Sequence, residues 1–256
     1  MARELAARYL YCIAQAGEAV SLGAVGIEGR EVYTVVLKDL CALVHDGPAR
    51  PYQSEAPEVA AAWVLAHHQV VEVAWKRWGA VLPLTFNTII QGERGNAPEA
   101  LATWLETEYA ALKQRLQALA GKAEYGVQVF WEAALISKQV AGASPEIRQL
   151  QQDIASKPRG LAYMYRQQLE RLLKKELETR AADEFQYLYG RLSRCADKTR
   201  VEKTKRSEAG RQMLMNLSCL VSPEQCPGLT AELDQVSNRE GYAVRLVGPL
   251  PPYSFC

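Results

Sequence analysis

The sequence predicts an α+β protein with two domains, and three observations lead to that fold class. Short runs rich in β-branched and aromatic residues alternate with longer segments of helical periodicity. The chain has 256 residues, a length that favours two small domains over one large one. A helix stop at Gly121 followed by a charged stretch places a boundary near residue 122.

The N-terminal domain, residues 1–122, is predicted to run strand, strand, helix, strand, helix. Its elements are strands over Arg8–Ala14, Val32–Leu37 and Leu40–Val44, a helix over Pro57–Trp78, a strand within 80–90 and a helix within 97–121. Val59, Trp63, Ala66, Val70, Val73 and Ala74 are predicted to form the buried face of the first helix. This order predicts a mostly antiparallel sheet with helices on one face.

The C-terminal domain, residues 123–248, is predicted to combine a sheet with long helices. Its elements are strands at Tyr125–Glu132, Gln212–Ser222 and Tyr242–Pro249, and helices within 144–156, 161–195 and 227–241. The order is close to a ferredoxin-like βαββαβ unit that lacks one strand. The middle helix would be about 50 Å long, so part of it projects or pairs with another helix as in a coiled coil.

The overall composition excludes several classes of function. The formal net charge is +1, which gives no general attraction to nucleic acid or an anionic membrane. No apolar run reaches the roughly 20 residues of a membrane span. Glu4 and Arg8 interrupt the start of the chain where a signal peptide would need apolar residues, so we expect a cytoplasmic protein. The six cysteines are scattered and are expected to be reduced thiols without a metal.

The motifs of common catalytic sites are absent from the sequence. It contains no glycine-rich phosphate loop, no GxSxG and no HExxH. His67 and His68 are adjacent on a predicted helix, so one is expected to face the core and the other solvent. An enzyme would need a site assembled from distant residues such as His45, His67 and Glu58, and we expect neither catalysis nor a cofactor.

A basic cluster at Arg194–Arg206 has six basic residues and no interleaved aromatic residue. It is interpreted as a solvated helix end or turn. Contact with an acidic partner is the next interpretation, and nucleic-acid binding ranks third. We therefore expect no nucleic acid, membrane or small-molecule substrate among the partners.

The chain ends in GPLPPYSFC, whose prolines cannot continue a helix or a central strand. Residues 249–256 are therefore predicted to leave the sheet as a separate tail. The apolar composition predicts that this tail folds back along the cleft between the halves, with Tyr253 and Phe255 as anchors. The prolines would reduce the entropy lost when it docks.

Seven stretches in this order resemble the GvpF/GvpL family of gas vesicle accessory proteins. They are RYLYCIA, VYTVVLKDLCALV, VLPLTFNTII, KAEYGVQVFWE, KPRGLAYMYRQQLE, MLMNLSCLV and GPLPPYSF, and they span nearly the whole chain. The closing stretch is the most specific. Its motif residues are Gly248, Pro249, Pro251, Pro252, Tyr253 and Phe255.

The resemblance implies a non-enzymatic accessory or minor structural protein of gas vesicle assembly, found in the cytoplasm or the vesicle. It implies an N-terminal α+β domain and a ferredoxin-like C-terminal domain with a helical extension. It also implies that the protein associates with the hydrophobic shell protein and with other accessory proteins. Our hypothesis is that it keeps the shell protein from aggregating during vesicle formation. The alternative is a helical scaffold or adaptor unrelated to gas vesicles.

Overall fold

A computed structural model describes residues 7–92, 96–205 and 210–256 of the chain. Glu4 and Arg206, which enter two of the sequence predictions, lie outside the described residues. The chain divides into two compact units: residues up to Glu124 together with Pro249–Cys256, and Tyr125–Gly248. The predicted α+β class is confirmed, since both units combine sheet and helix.

The first unit is built on one twisted sheet. It contains β1 (Ala7–Ala14), β2 (Ser21–Gly23), β3 (Val32–Leu37), β4 (Leu40–Gly47), α1 (Pro57–Trp78), β5 (Val81–Pro83), β6 (Ile89–Gln91) and α2 (Ala97–Leu119). The strand order is β2-β3-β4-β1-β5, and β6 also pairs with β1. The pairings of β1 with β4, β5 and β6 are antiparallel, and Tyr9 lies opposite His45. The predicted strand within 80–90 is thus two short strands separated by a turn.

Both faces of the first sheet are covered. Cys41 and Leu43 of β4 pack in one cluster with Val70 and Ala74 of α1. The alternate β4 residues, such as Ala42, point to the opposite face and are equally buried. Helix α2 contacts β1, β5 and β6, and its buried leucines do not belong to the cluster that α1 forms with the sheet. The prediction of helices on one face was therefore wrong, because full burial of β1 and β4 requires a layer on each side.

The second unit has the element order βαββαβ with two extra helices. It contains β7 (Ala123–Glu132), α3 (Ala133–Ala143), α4 (Pro145–Ser156), α5 (Arg159–Leu192), β8 (Lys198–Val201), β9 (Arg211–Val221), α6 (Cys226–Ser237) and β10 (Tyr242–Leu250). The strand order is β10-β7-β9-β8. Its core is formed by β7, β9, α5 and α6, with Trp131, Leu192 and Leu217 among the buried side chains.

Two segments of the second unit differ from the sequence prediction. The basic cluster was interpreted as a solvated helix end or turn, but Lys198–Val201 within it is strand β8, antiparallel to β9. Helix α3 was not predicted, and it begins directly after β7 without a side-chain cap. Helix α4 begins as predicted, since the Ser144 hydroxyl accepts a hydrogen bond from the Ile147 N–H at 3.4 Å.

Helix α5 has 34 residues and packs against α3 and α4 within the same chain. Leu188 and Leu192 near its C-terminal end are buried in the core of the unit. Near its N-terminal end Ala162 is buried, whereas the neighbouring Leu161 is exposed. Part of the long helix thus finds its partner helices within its own unit.

Candidate docking surface

Helix α1 is held firmly on the sheet of the first unit. Pro57 lies at its first turn, where the missing N–H costs no hydrogen bond. Gly79 ends it in the left-handed conformation, with φ 73°, and its N–H donates to the Trp75 carbonyl at 2.8 Å. On the inner face, Val70, Val71 and Ala74 are fully buried against the sheet. The helix is therefore a rigid element whose outer face has a fixed position within this unit.

The outer face of α1 is apolar over most of its length. Residues 59–71 contain no Asp, Glu, Lys or Arg. Val64 is 49% exposed and Leu65 is 55% exposed, and Ala61 and Ala62 between Trp63 and the helix start are also exposed. A surface helix normally places charged residues at such positions. We define the α1 outer face as Ala61, Ala62, Val64 and Leu65.

The predicted buried stripe of α1 is only partly buried. Val70 and Ala74 are in the core, while Trp63 and Ala66 are half-buried. Val59 and Val73 were also assigned to the buried face, but they are 38% and 44% exposed. The prediction was wrong for these two because an apolar residue at helical spacing was taken to face the core. The uncharged run itself was the signal in the sequence that could have revealed the α1 outer face.

The C-terminal tail contacts the first unit next to this helix. The Tyr253 hydroxyl and Nδ1 of His68 on α1 are 2.7 Å apart, and the two rings lie with centroids 5.4 Å apart. Loss of solvent around Tyr253 raises the pKa of its hydroxyl above the usual range. Tyr253 nevertheless keeps 37% of its surface exposed. It therefore lies across His68 with one side open to a partner.

A buried carboxylate fixes the end of the tail. Glu124 is 7% exposed, and Ser254 binds both of its oxygens: the backbone N–H donates to Oε2 at 2.7 Å and the hydroxyl to Oε1 at 2.6 Å. Pro251 and Pro252 are buried, whereas Phe255 is half-buried. Burial of the two prolines and the double hydrogen bond together hold the tail in one conformation.

The remaining motif residues shape the approach to the tail. Gly248 has φ 140°, which a residue with a side chain rarely adopts, so glycine is required before Pro249. Pro249 lies within β10. The location of the tail in a cleft between the two halves stays a prediction.

Beneath α1 lies a buried cluster of tyrosines and histidines. Nε2 of His67 donates to the Leu84 carbonyl at 3.2 Å, so Nδ1 accepts from the Tyr9 hydroxyl at 2.8 Å. The Tyr9 hydroxyl in turn accepts from the Asn87 N–H at 3.1 Å. Both ring nitrogens of His67 and the Tyr9 hydroxyl are therefore paired, as buried polar groups require.

His45 occupies the second position in the same cluster. Its Nδ1 lies 2.8 Å from the Tyr11 hydroxyl and its Nε2 lies 3.1 Å from the Tyr52 hydroxyl. Burial lowers the pKa of His45 and of His67 to about 4, so both rings are neutral near pH 7. Both ring nitrogens of each histidine are hydrogen-bonded, and Glu58 is exposed at the start of α1. The three residues named as a possible catalytic set therefore do not form one constellation.

Neither a metal cluster nor a membrane span is found in the ranges 7–92, 96–205 and 210–256. No group of three or more His, Cys, Asp or Glu side chains in these ranges is arranged to hold a metal ion. Among the helices of the same ranges, none combines the length and hydropathy that crossing a bilayer requires. The two adjacent histidines of α1 face different environments, as expected on a helix: His67 is buried and His68 is half-buried.

Comparison with known proteins gives matches along almost the whole chain. The family model described as gas vesicle synthesis protein GvpL/GvpF matches residues 7–256. Gas vesicle protein L1 of Halobacterium salinarum is 28% identical over 257 residues, covering 97% of this chain and 89% of that protein. Gas vesicle protein L of Haloferax mediterranei is 27% identical over 243 residues, covering 90% of this chain and 72% of that protein.

Two crystal structures share the fold. The gas vesicle protein GvpF from Anabaena sp. PCC7120 superimposes with a TM-score of 0.78 at 20% identity, covering 97% of each chain. The gas vesicle protein GvpF from Microcystis aeruginosa superimposes with a TM-score of 0.67 at 16% identity, covering 98% of each chain.

Proposed function

The chain belongs to the GvpL/GvpF family of gas vesicle synthesis proteins, and from this premise we propose that it binds the hydrophobic shell protein and keeps it from aggregating during vesicle assembly. A protein that builds an apolar wall exposes an aggregation-prone surface until it is incorporated. A partner that covers this surface and then releases it at the growing edge would keep the shell protein available.

The observation that carries this proposal is the α1 outer face. An apolar, uncharged helix face on a rigid sheet is suited to contact an apolar surface, because burying it removes little polar solvation. Val64 and Leu65 would supply the exposed apolar area. Tyr253 borders the same helix through His68 and keeps part of its ring exposed. The tail would then form one edge of the docking surface.

Moderate affinity follows from the need for release. A contact made mainly by a few small aliphatic side chains lacks the cluster of large aromatic and arginine anchors found at the centre of the tightest interfaces. Such a contact dissociates fast enough to pass the shell protein to the wall. The action would take place in the cytoplasm or at the vesicle, in company with other accessory proteins.

The proposed role involves no bond-making. The two buried histidines are neutral and fully hydrogen-bonded, which supports a structural task for them. The family is one of gas vesicle accessory proteins. An adaptor unrelated to gas vesicles does not fit this family assignment, although the exposed Tyr163 and Met164 of α5 give the second unit an apolar surface of its own.

Co-expression with the shell protein tests the proposal. The shell protein should move from the aggregated to the soluble fraction and co-purify with this chain. If it stays aggregated and no complex is recovered, the proposal fails, while membership of the family is unaffected.

A further inference from the structure

A cavity of about 410 Å³ opens in the first unit beside the start of α1. Its lining includes Glu28, Arg30, Arg50, Pro51, Tyr52 and Trp63. The volume falls in the range of pockets that hold a small ligand or a few residues of a peptide. The cavity is separate in character from the α1 outer face, because three of these residues are charged.

Hydrogen bonds through the buried cluster hold two parts of the cavity lining in place. The Ile27 N–H donates to the Tyr11 hydroxyl at 3.0 Å and so ties down the turn that carries Glu28. The Tyr11 hydroxyl contacts His45, whose other ring nitrogen contacts the hydroxyl of the lining residue Tyr52. One continuous chain of hydrogen bonds therefore links the turn that carries Glu28 to Tyr52.

A second clamp holds the backbone of Tyr52. The Asn87 side chain accepts from the Tyr52 N–H at 2.8 Å and donates to the Tyr52 carbonyl at 3.1 Å. Asn87 itself adopts φ 70°, and Glu28 adopts φ 56°. Backbone conformations of this kind cost free energy and persist where surrounding contacts enforce them. The cavity is thus preorganised, which lowers the cost of binding.

The charges and rings of the cavity define what it can hold. Arg30 and Arg50 contribute two positive charges and Glu28 one negative charge, leaving a net charge of +1. Within the described residues, neither arginine forms an ion pair with a carboxylate. Tyr52 and Trp63 lie with ring centroids 5.3 Å apart, which gives the cavity an aromatic side. A single carboxylate balances the charge, whereas a phosphate dianion would leave an excess of negative charge beside Glu28.

We propose that this arginine cavity binds a carboxylate carried by a peptide segment of a partner protein, with an apolar side chain of that segment against Trp63. Guanidinium groups bind carboxylates through paired hydrogen bonds, and Arg50 is an exposed residue of the cavity lining. The carboxylate comes from a chain terminus or from an Asp or Glu side chain. The proposal does not rest on binding of the shell protein.

Four small probes test the chemistry, with the indole N–H signal of Trp63 in NMR spectra as the readout. N-acetylphenylalanine carries a terminal carboxylate, and acetyl-Phe-Glu-amide carries a side-chain carboxylate. Acetyl-Phe-Gln-amide is the neutral control and phenyl phosphate is the dianion control. We expect saturable shifts of the Trp63 signal with one or both carboxylates below about 10 mM, and weaker binding of both controls. The carboxylate probe that binds more tightly shows whether the partner's carboxylate is a chain terminus or an Asp or Glu side chain.

Two substitutions in the cavity are expected to change the affinity for carboxylates in opposite directions. Arg50→Gln should weaken carboxylate binding about fivefold or more. Glu28→Gln should strengthen it, because the competing negative charge is gone. Arg148→Gln on the exposed side of α4 is the matched control and should leave it unchanged. Equal binding of the neutral amide, tighter binding of phenyl phosphate, or no saturable shift with either carboxylate would each overturn the proposal.

Discussion

Ser254 binds both carboxylate oxygens of Glu124, with its backbone N–H on Oε2 and its hydroxyl on Oε1. The two residues are 130 positions apart in the sequence, and Glu124 is almost fully buried. A carboxylate removed from water needs strong donors, and Ser254 supplies two of them. The C-terminal tail is therefore part of the folded first unit.

The Glu124–Ser254 contact predicts a loss of stability when the tail is altered. Glu124→Gln replaces a charged acceptor by an amide that cannot accept both hydrogen bonds. We expect the free energy of unfolding to fall by about 1 to 3 kcal/mol in urea denaturation. Glu106→Gln, at an exposed position of α2, serves as the control for the same chemical change.

Removal of the tail rings gives a second readout of the same contact. Tyr253→Ala with Phe255→Ala should lower the melting temperature. An unchanged melting temperature in both this variant and Glu124→Gln would contradict a docked tail. Loss of shell-protein binding at unchanged stability would show instead that the tail is an external ligand.

The buried histidines predict that the protein loses stability in mild acid. The pKa values of His45 and His67 lie near 4 in the folded chain and near 6.5 in the unfolded chain. Between these values the unfolded state binds more protons than the folded state, so the free energy of unfolding rises with pH. The contribution of the two histidines reaches its full value above about pH 6.5. The loss on going from pH 6.5 to 4 is at most about 3 kcal/mol per histidine.

Urea denaturation at several pH values measures this dependence. His45→Gln should reduce the slope of stability against pH by about one proton between pH 4.5 and 6. His68→Gln is the control, since His68 is half-buried and bound only to Tyr253 among its described hydrogen-bond partners. A slope that does not change in His45→Gln would show that this ring titrates normally in the folded protein.

An ion pair between the buried Glu184 and the partly exposed Arg239 stabilises the second unit. Burial acts to raise the pKa of Glu184, but hydrogen bonding to Arg239 outweighs it and the pKa lies below its usual value. Arg180 approaches the other carboxylate oxygen at 3.6 Å. Arg239→Met removes the stronger partner of the buried Glu184 carboxylate and leaves Arg180 at 3.6 Å, so we expect a loss of roughly 2 kcal/mol.

The double variant Glu184→Met, Arg239→Met separates the charge from the packing. It should recover at least half of the lost stability, because no unpaired carboxylate remains. Arg171→Met on the exposed side of α5 is the control. A single variant as stable as the control would mean that Glu184 does not depend on Arg239.

Much of the fold could be predicted because local signals mark its elements. Helix α1 has Pro57 at its start and Gly79 at its end, and Ser144 caps α4. Two elements had no such signals. Helix α3 follows β7 with no capping side chain or turn residue, and β8 is a short, charged edge strand. Edge strands of this kind look like loops in a sequence, so β8 was missed.

The arginine cavity and its supporting hydrogen bonds could not be predicted. Tyr11 and His45 are 34 positions apart, and Tyr9 and His67 are 58 positions apart. A single sequence does not reveal which polar residues meet in a core, because register and bulges decide the pairing. The register shift between Leu10 and Cys12 in β1 is one such feature.

The central claim is that the α1 outer face covers the shell protein, and one co-expression measurement tests it most directly. The fraction of shell protein that remains soluble is compared for the wild type, for Val64→Glu with Leu65→Glu, and for the control pair Leu161→Glu with Met164→Glu on the exposed part of α5. The account predicts a soluble shell protein with the wild type and the control, and aggregation with the α1 variant when that variant is itself folded. Equal solubility with all three, or none with the wild type, would contradict it.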